Sequence, residues 1–363
     1  MRLLITATSL RPAYGGPAYS VSALANTLAA AGARVGLWAA DDSAADSGLL
    51  DDRVERLAGP LKVVAGFAPD AIHDNGLWLP HNHRVAELSR ERGMPRVVST
   101  RGMLEPWAMA HKAWKKQAAW RVYQRRDLDR AAALHATAAP EAETLARHRL
   151  AAPVACIPNG VAIPALAPRP PAGATPRTAL FLGRIYPVKG LPMLIDAWAR
   201  VRPSPWRLVI AGPDETGHRR VVEAAVAAAG LGGDVSFVGP VEGEAKTALL
   251  RAADLFVAPS HQESFGLAIA EALAHALPVL TTTAVPWPAL EDRGCGWRAA
   301  PGPAALAQAL RSATSIEPDA LRAMGEAGRA YVATEFGWSG VAARFLELYE
   351  RVVAGRTPAK AVA

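Results

Sequence analysis

Leu255-Phe256-Val257-Ala258, followed by Pro259-Ser260-His261-Gln262 and then Glu263-Ser264-Phe265-Gly266-Leu267-Ala268-Ile269-Ala270-Glu271, is the stretch whose reading decides the fold. The opening apolar run has the character of a strand buried on both faces of a parallel sheet. From Gly266 the pattern becomes Leu-Ala-Ile-Ala-Glu-Ala-Leu-Ala-His-Ala, a helix expected to end at Ala276 ahead of Pro278. That helix is apolar almost all round, so most of it should be buried. A carboxylate within it is costly unless something pairs with it, and Glu271 is therefore expected to face a cleft or a dedicated partner. Glu263 and Glu271 thus frame a strand-to-helix turn with backbone N–H groups between them. Such a frame suits a ligand with both hydroxyls and phosphates, of which a nucleotide sugar is one.

Outward from this stretch, strand and helix alternate along the whole chain, which argues for parallel sheets with right-handed crossovers. The first half offers strands at Leu3–Ala7, Arg34–Trp38, Ala71–His73, Arg96–Ser99 and near Ala133–Ala136. The second offers Thr178–Leu182, Arg207–Ala211, Val235–Val238, Asp254–Ala258 and Val279–Thr281. Between Ala151 and Pro176 the chain carries prolines at 153, 158, 164, 168, 170, 171 and 176, which is linker chemistry. The expected organisation is an α/β domain over 1–165, a second over 176–335, a ligand cleft between them, and a terminal segment over 336–363. In that segment Trp338–Val353 reads as an amphipathic helix with Val341, Phe345, Leu348 and Val352 on one stripe.

Composition narrows the function. The chain has 363 residues, 51% hydrophobic and 20% charged, enough for two cores and without the signature of disorder. No run has the length a membrane span needs, and the N-terminus enters a strand directly, without a signal-peptide pattern. Cys156 and Cys295 are the only cysteines, too few for a disulfide framework or a cysteine metal cluster, and they fit a reducing, cytoplasmic setting. The net charge of +7 can draw an anionic membrane surface or substrate as readily as it can serve solubility. No motif of nucleic-acid recognition accompanies it.

Further motifs gather around the same chemistry. Gly15-Gly16 follows the first strand and precedes a helix, so backbone can approach a phosphate there or simply turn tightly; the dinucleotide G-x-G-x-x-G spacing is absent. Gly183-Arg184-Ile185-Tyr186-Pro187-Val188-Lys189-Gly190 closes the first strand of the second half. Its Arg184 and Lys189 are either solvated loop charges or a clamp for a departing diphosphate, and the paired glutamates favour the clamp. His275, four residues after Glu271, suits a local helix pair. Asp127-Leu128-Asp129 has the D-x-D form that can hold a metal, but it lies in an Arg-rich helical stretch and reads as solvated charge. Residues 111–130 are basic and aromatic at helical spacing, suited to peripheral membrane contact, to an anionic acceptor, or to packing in the first core.

Taken together these residues resemble the retaining glycosyltransferases of the GT-B fold, family 4, over nearly the whole chain. The E-x7-E segment Glu263–Glu271, Gly183-Arg184 with Pro187-x-Lys189-Gly190, Ile210-Ala211-Gly212, Phe237-Val238-Gly239, Gly15-Gly16 and Ile157-Pro158-Asn159-Gly160-Val161 carry the resemblance. It implies two Rossmann-like domains, the first binding acceptor and the second a nucleotide sugar, with the last helix crossing back to the first. It implies that Glu271 holds the donor ribose and Glu263 sugar hydroxyls. Gly15, Gly16, Ser264, Phe265, Gly266 and Leu267 would bind the donor, with Arg184 and Lys189 on its diphosphate. It implies metal-independent transfer in which the leaving phosphate takes the acceptor proton, and no cofactor beyond the nucleotide-sugar co-substrate. One departure stands out: where many members have a histidine after the fourth strand, this chain has Ser99-Thr100-Arg101. Arg101, Asn75 and Trp78 are the expected acceptor or sugar contacts, in segments similar to those of bacterial surface-polysaccharide and lipopolysaccharide transferases. The rival readings are a GT-B sugar-nucleotide epimerase and a non-catalytic nucleotide-sugar-binding scaffold.

Overall fold

The computed structural model describes residues 1–110, 112–166, 176–214 and 216–356, with the side chains of all of these except 62, 63 and 65. The chain forms two α/β units, one from residues 1–160 together with the chain from Trp338, the other from Val161–Gly337. The first holds strands β1 (Arg2–Ala7), β2 (Arg34–Ala39), β3 (Glu55–Leu57), β4 (Ala71–Asn75), β5 (Arg96–Ser99), β6 (Ala133–Ala136) and β7 (Val154–Cys156). They form one parallel sheet in the order β3-β2-β1-β4-β5-β6-β7. The second holds β8 (Arg177–Leu182), β9 (Trp206–Ala211), β10 (Val235–Gly239), β11 (Leu255–Ala258), β12 (Val279–Thr282) and β13 (Gly296–Ala299). Their order is β10-β9-β8-β11-β12-β13, again all parallel.

Both sheets reverse direction of strand addition once, between β1 and β4 and between β8 and β11. Loops leaving neighbouring strands at such a point part to opposite faces and leave a crevice at the strands' carboxyl ends, where open α/β sheets bind ligands. The central strands β1, β4, β11 and β12 are buried throughout their apolar runs because helices cover each face.

In the first unit, helix Gly16–Ala30 packs on β1 and β2, and the final helix Trp338–Val353 packs against that helix and β4. Val341, Phe345, Leu348 and Val352 share their core with Leu3, Ile5, Leu24 and Leu28. In the second, helix Leu267–Ala274 sinks Ile269, Ala270 and Leu273 into the core around β11 and β12.

Three strands lie outside the expected set, namely β3, β7 and β13. β7 corrects the linker reading of Ala151–Pro176: Pro153 and Pro158 flank a short edge strand, where a missing N–H is tolerated. The prolines at 168, 170 and 171 lie outside the described residues. Asp127 is also corrected. It is buried rather than solvated: a carboxylate oxygen lies 2.6 Å from His83 Nδ1, and its main-chain carbonyl accepts from Arg96. Asp129 caps Ala151 N–H at 2.9 Å. Among the described residues no group of three His, Cys, Asp or Glu side chains is arranged to hold a metal, and no helix is long and apolar enough to cross a membrane.

Candidate functional site

The second unit builds its site from loops at the carboxyl ends of β8, β9 and β11. Gly190, at φ +68°, lets the β8 loop turn against Pro259; a Cβ there would stand 2.2 Å from the Pro259 carbonyl oxygen. His261 N–H donates to the Val188 carbonyl at 2.8 Å, binding the β8 loop to the β11 loop. Gly212, after β9, lies so close to Gly183 that a Cβ would fall 1.9 Å from its carbonyl oxygen. These contacts bring Lys189 to Glu263: the ammonium donates to Oε1 at 2.5 Å, and the Ser260 hydroxyl donates to the same oxygen at 2.8 Å. Arg184 lies exposed in the same loop, its guanidinium 5.9 Å from the Tyr186 ring centre.

The turn into helix Leu267–Ala274 is made by Gly266 at φ +87°, the left-handed region that favours glycine. Intrahelical bonding leaves the first N–H groups of this helix, from Leu267, over for a ligand. Phe265 is placed differently from a ligand contact. Its ring is buried against Trp287 and Phe336, and its carbonyl accepts the Trp287 indole N–H at 2.6 Å, so only its main chain is left to face a ligand. Ser264 is half-buried beside it.

Glu271 finds its partner in Lys246, on helix Gly243–Ala252 after β10, with Nζ donating to Oε1 at 2.8 Å. Both side chains keep about a third of their exposure, 28% and 32%, so the pair meets solvent and is open to exchange. His275 Nδ1 donates to the Glu271 main-chain carbonyl at 2.8 Å rather than to its carboxylate, and burial lowers its pKa. Lys246, Ser260 and His261 were not singled out from sequence. Nothing in a local pattern links a lysine to a glutamate 25 positions away.

In the first unit the residues expected at the acceptor form a second cluster. Arg101 follows β5 at φ +53°, a strained conformation for a bulky residue. Its guanidinium donates to Asn75 Oδ1 at 2.7 Å, to Ser20 Oγ at 2.8 Å and to Asn159 Oδ1 at 3.4 Å. Ser20 lies on the helix that starts at Gly16, and Gly15, at φ +78°, is that helix's N-cap. Asn75, Arg101 and the Gly15-Gly16 helix are thus brought together at the β1/β4 reversal. No carboxylate bonds Arg101 among the described residues; burial brings its pKa down to about 10. Trp78, at φ +74°, turns elsewhere: its ring packs 6.2 Å from Trp120 with Lys116 above it, while Gln124 and Tyr123 hold its N–H and carbonyl.

Behind Arg101 runs a buried hydrogen-bond chain. His135 Nε2 lies 2.7 Å from the Ile157 carbonyl, which can only accept, so Nε2 carries the proton. Nδ1 then accepts from Ser99 Oγ at 2.6 Å, Ser99 accepts from His73 Nε2 at 2.6 Å, and Tyr349 donates to His73 Nδ1 at 2.5 Å. Both imidazoles are neutral in this arrangement. Burial, with Arg101 nearby, holds His135 down at about 4 and His73 well below its ordinary value.

Two parallel α/β units, each with a polar cluster at its strand-order reversal, are the architecture of the GT-B fold. Residues 15–160 match the glycosyl transferase 4-like domain, and residues 176–315 the family described as glycosyl transferases group 1. A D-inositol 3-phosphate glycosyltransferase from Thermobispora bispora is 33% identical over 81% of this chain and 74% of its own length. Against the first curated relatives it matches, at 34% identity, the chain spans 53% of their length. Sucrose-phosphate synthase from Thermosynechococcus elongatus superposes with a TM-score of 0.80 at 23% identity, covering 98% of this chain and 100% of that one. Anabaena HepE, solved with UDP-glucose, gives 0.74 at 20% identity, covering 96% and 99%. The chain belongs to the glycosyltransferases that join these two domains.

Proposed function

We propose that the protein is a retaining, metal-independent family 4 transferase of the cytoplasm. It would move a hexose or related sugar from a nucleotide-diphosphate donor to a glycan or lipid-linked acceptor, in cell-surface polysaccharide synthesis. The observation that carries this reading is the pairing of Lys189 with Glu263 and Lys246 with Glu271 around the Gly266 turn. An incoming donor can exchange these partners, drawing Lys189 onto its phosphates and taking the carboxylates with its hydroxyls. Arg184, Lys189 and the N–H groups at Gly266 and Leu267 would then meet the charge that grows on the leaving diphosphate. Glu263 would hold sugar hydroxyls and Glu271 the ribose. The bond from the anomeric carbon to phosphate oxygen breaks, the acceptor oxygen bonds on the same face, and its proton passes to the leaving phosphate. On the first unit, Gly15 and Gly16 would approach the donor, and Arg101 with Asn75 suits a hydroxyl-rich or anionic acceptor. The relatives named for D-inositol 3-phosphate support including that compound among trial acceptors, and the HepE complex supports UDP-glucose as a first donor.

The test is release of nucleoside diphosphate from UDP-, GDP- and dTDP-sugars, with and without EDTA, with the product's anomeric configuration read by NMR. Release in EDTA with retained configuration is expected. Activity lost in EDTA and restored by magnesium would overturn metal independence. Tight donor binding without release would make the protein a binder, and an altered sugar on an intact diphosphate would make it an epimerase.

A further inference from the structure

The loop after β11 is held from beneath by side chains of β12 and of the loop that follows it. The Thr281 hydroxyl donates to the Ala258 carbonyl at 2.8 Å, and the Thr282 hydroxyl to the Ser260 carbonyl at 2.5 Å. The Trp287 indole N–H donates to the Phe265 carbonyl at 2.6 Å. All three donors are buried. In a trans peptide the N–H points opposite to the carbonyl, so tying a carbonyl into the core turns the next residue's N–H outward. The Ser260–His261 peptide shows the consequence. Its carbonyl bonds Thr282, and its N–H reaches the Val188 carbonyl in the β8 loop, one residue before Lys189. The Phe265–Gly266 peptide, also trans, is built the same way. Its carbonyl is bonded to Trp287, and the turn beyond it, Gly266 to Ala268, is half-exposed.

The indole is rigidly mounted. Trp287 stands between Pro286 and Pro288, which restrict the backbone on both sides, and its main-chain N–H closes a tight turn on the Val285 carbonyl at 2.8 Å. Its ring centre lies 5.4 Å from that of Phe265 and 5.1 Å from that of Phe336. At Gly266 a Cβ would come within 3.2 Å of the indole nitrogen, so the turn and the indole are fitted to each other. A buried indole usually takes an acceptor for its own sake. Trp198 shows that burial does not force such a bond in this unit: it is fully buried, and its indole nitrogen has no partner among the described residues. Nor does the indole's own need explain why three buried donors all take carbonyls of one loop. We propose that Trp287 is a positioning residue, whose indole fixes the Phe265–Gly266 peptide with its N–H turned to the diphosphate of a nucleotide donor. This rests on the donor reading of the turn proposed above and adds to it the side chain that aims the N–H.

The test compares affinities of the full chain for a nucleoside diphosphate and for its bare nucleoside, taking whichever of UDP, GDP and dTDP binds the parent. Trp287→Phe removes the donor. Incorporation of 3-benzothienylalanine at position 287 replaces the N–H by sulfur and keeps the shape of the ring, so it carries the test should Trp287→Phe fail to fold. Both changes are expected to weaken diphosphate binding by about tenfold, as for one lost hydrogen bond to a charged group, and to leave nucleoside binding unchanged. Trp198→Phe, also at a buried indole, should lower the melting temperature and leave both affinities alone, which separates aim from packing. Diphosphate binding by the sulfur isostere equal to the parent's would overturn the proposal, as would an equal loss of diphosphate and nucleoside. A parent that binds none of the three diphosphates would remove the donor reading and this assignment together. That outcome is distinct from a parent that binds and an isostere that binds as well, which sinks the role of Trp287 alone.

Discussion

Glu271 illustrates what a single residue discloses and what it withholds. Its place in an apolar helix demands a partner, and that demand is readable in the sequence; that the partner is Lys246 depends on two helices meeting, which is not. Glu271→Ala is expected to weaken nucleotide-sugar binding by about 1–3 kcal/mol, the usual cost of a lost charged hydrogen bond. Unchanged affinity in a calorimetric titration would reject the ribose role. Lys189→Ala should lower kcat more than it raises donor KM, because in the proposed reaction its ammonium, now on Glu263, would turn to charge that develops in the transition state; a pure KM effect would mean uniform ground-state binding instead.

The buried imidazoles give a pH dependence with a definite sign. His135 is held at about 4 in the fold against 6.5 when free, so as the pH falls the unfolded chain takes up its proton first. The stability of the first unit should be complete above 6.5 and fall by about 3 kcal/mol from this group on the way to pH 4. His73 adds in the same direction. A melting temperature flat across that window would contradict the neutral chain from Tyr349 to Ile157.

The elements were legible where a buried strand makes an unbroken apolar run. β5 and β6 have the expected limits, and β8 to β12 begin or end within a residue of theirs. The missed strands are short edge pieces whose pairing with a neighbour, not their own composition, makes them strands: charged Glu55–Leu57, proline-flanked Val154–Cys156 and Gly296–Ala299 with its alternating Trp297 and Arg298. The site loops depend on glycines at crossings of main chain. Gly190→Ala combines a left-handed φ of +68° with a Cβ 2.2 Å from backbone at Pro259, so the β8 and β11 loops must part. It should cost about 2–4 kcal/mol in the second unit's stability and detach Lys189 from Glu263. A melting curve and donor affinity both like the parent's would refute the packing of these loops.

The chain as a whole is not two consecutive units. The segment from Trp338 completes the first unit's core, with Phe345 3% exposed among residues of β1 and helix Gly16–Ala30. Phe345→Ala should therefore destabilise the N-terminal unit, by about 3–5 kcal/mol for a deleted buried ring. Differential scanning calorimetry can assign the loss: the transition of residues 161–337 should stay in place, and a shift confined to it would contradict the assignment. From sequence the stripe Val341, Phe345, Leu348 and Val352 shows that this helix buries one face; which core receives it lies beyond any local pattern.

Read alone, the sequence carries the class of fold, because alternating apolar strands and amphipathic helices leave few ways to bury both, and it carries the candidate site residues, because a carboxylate in an apolar helix and cations after a strand have few inexpensive roles. Only the tertiary structure decides which charges neutralise one another, which aromatic rings are core and which meet water, and which nitrogen of each buried histidine bears its proton. Those outcomes depend on residues far apart in the chain meeting at distances below 3 Å, as Lys246 meets Glu271 and Tyr349 meets His73.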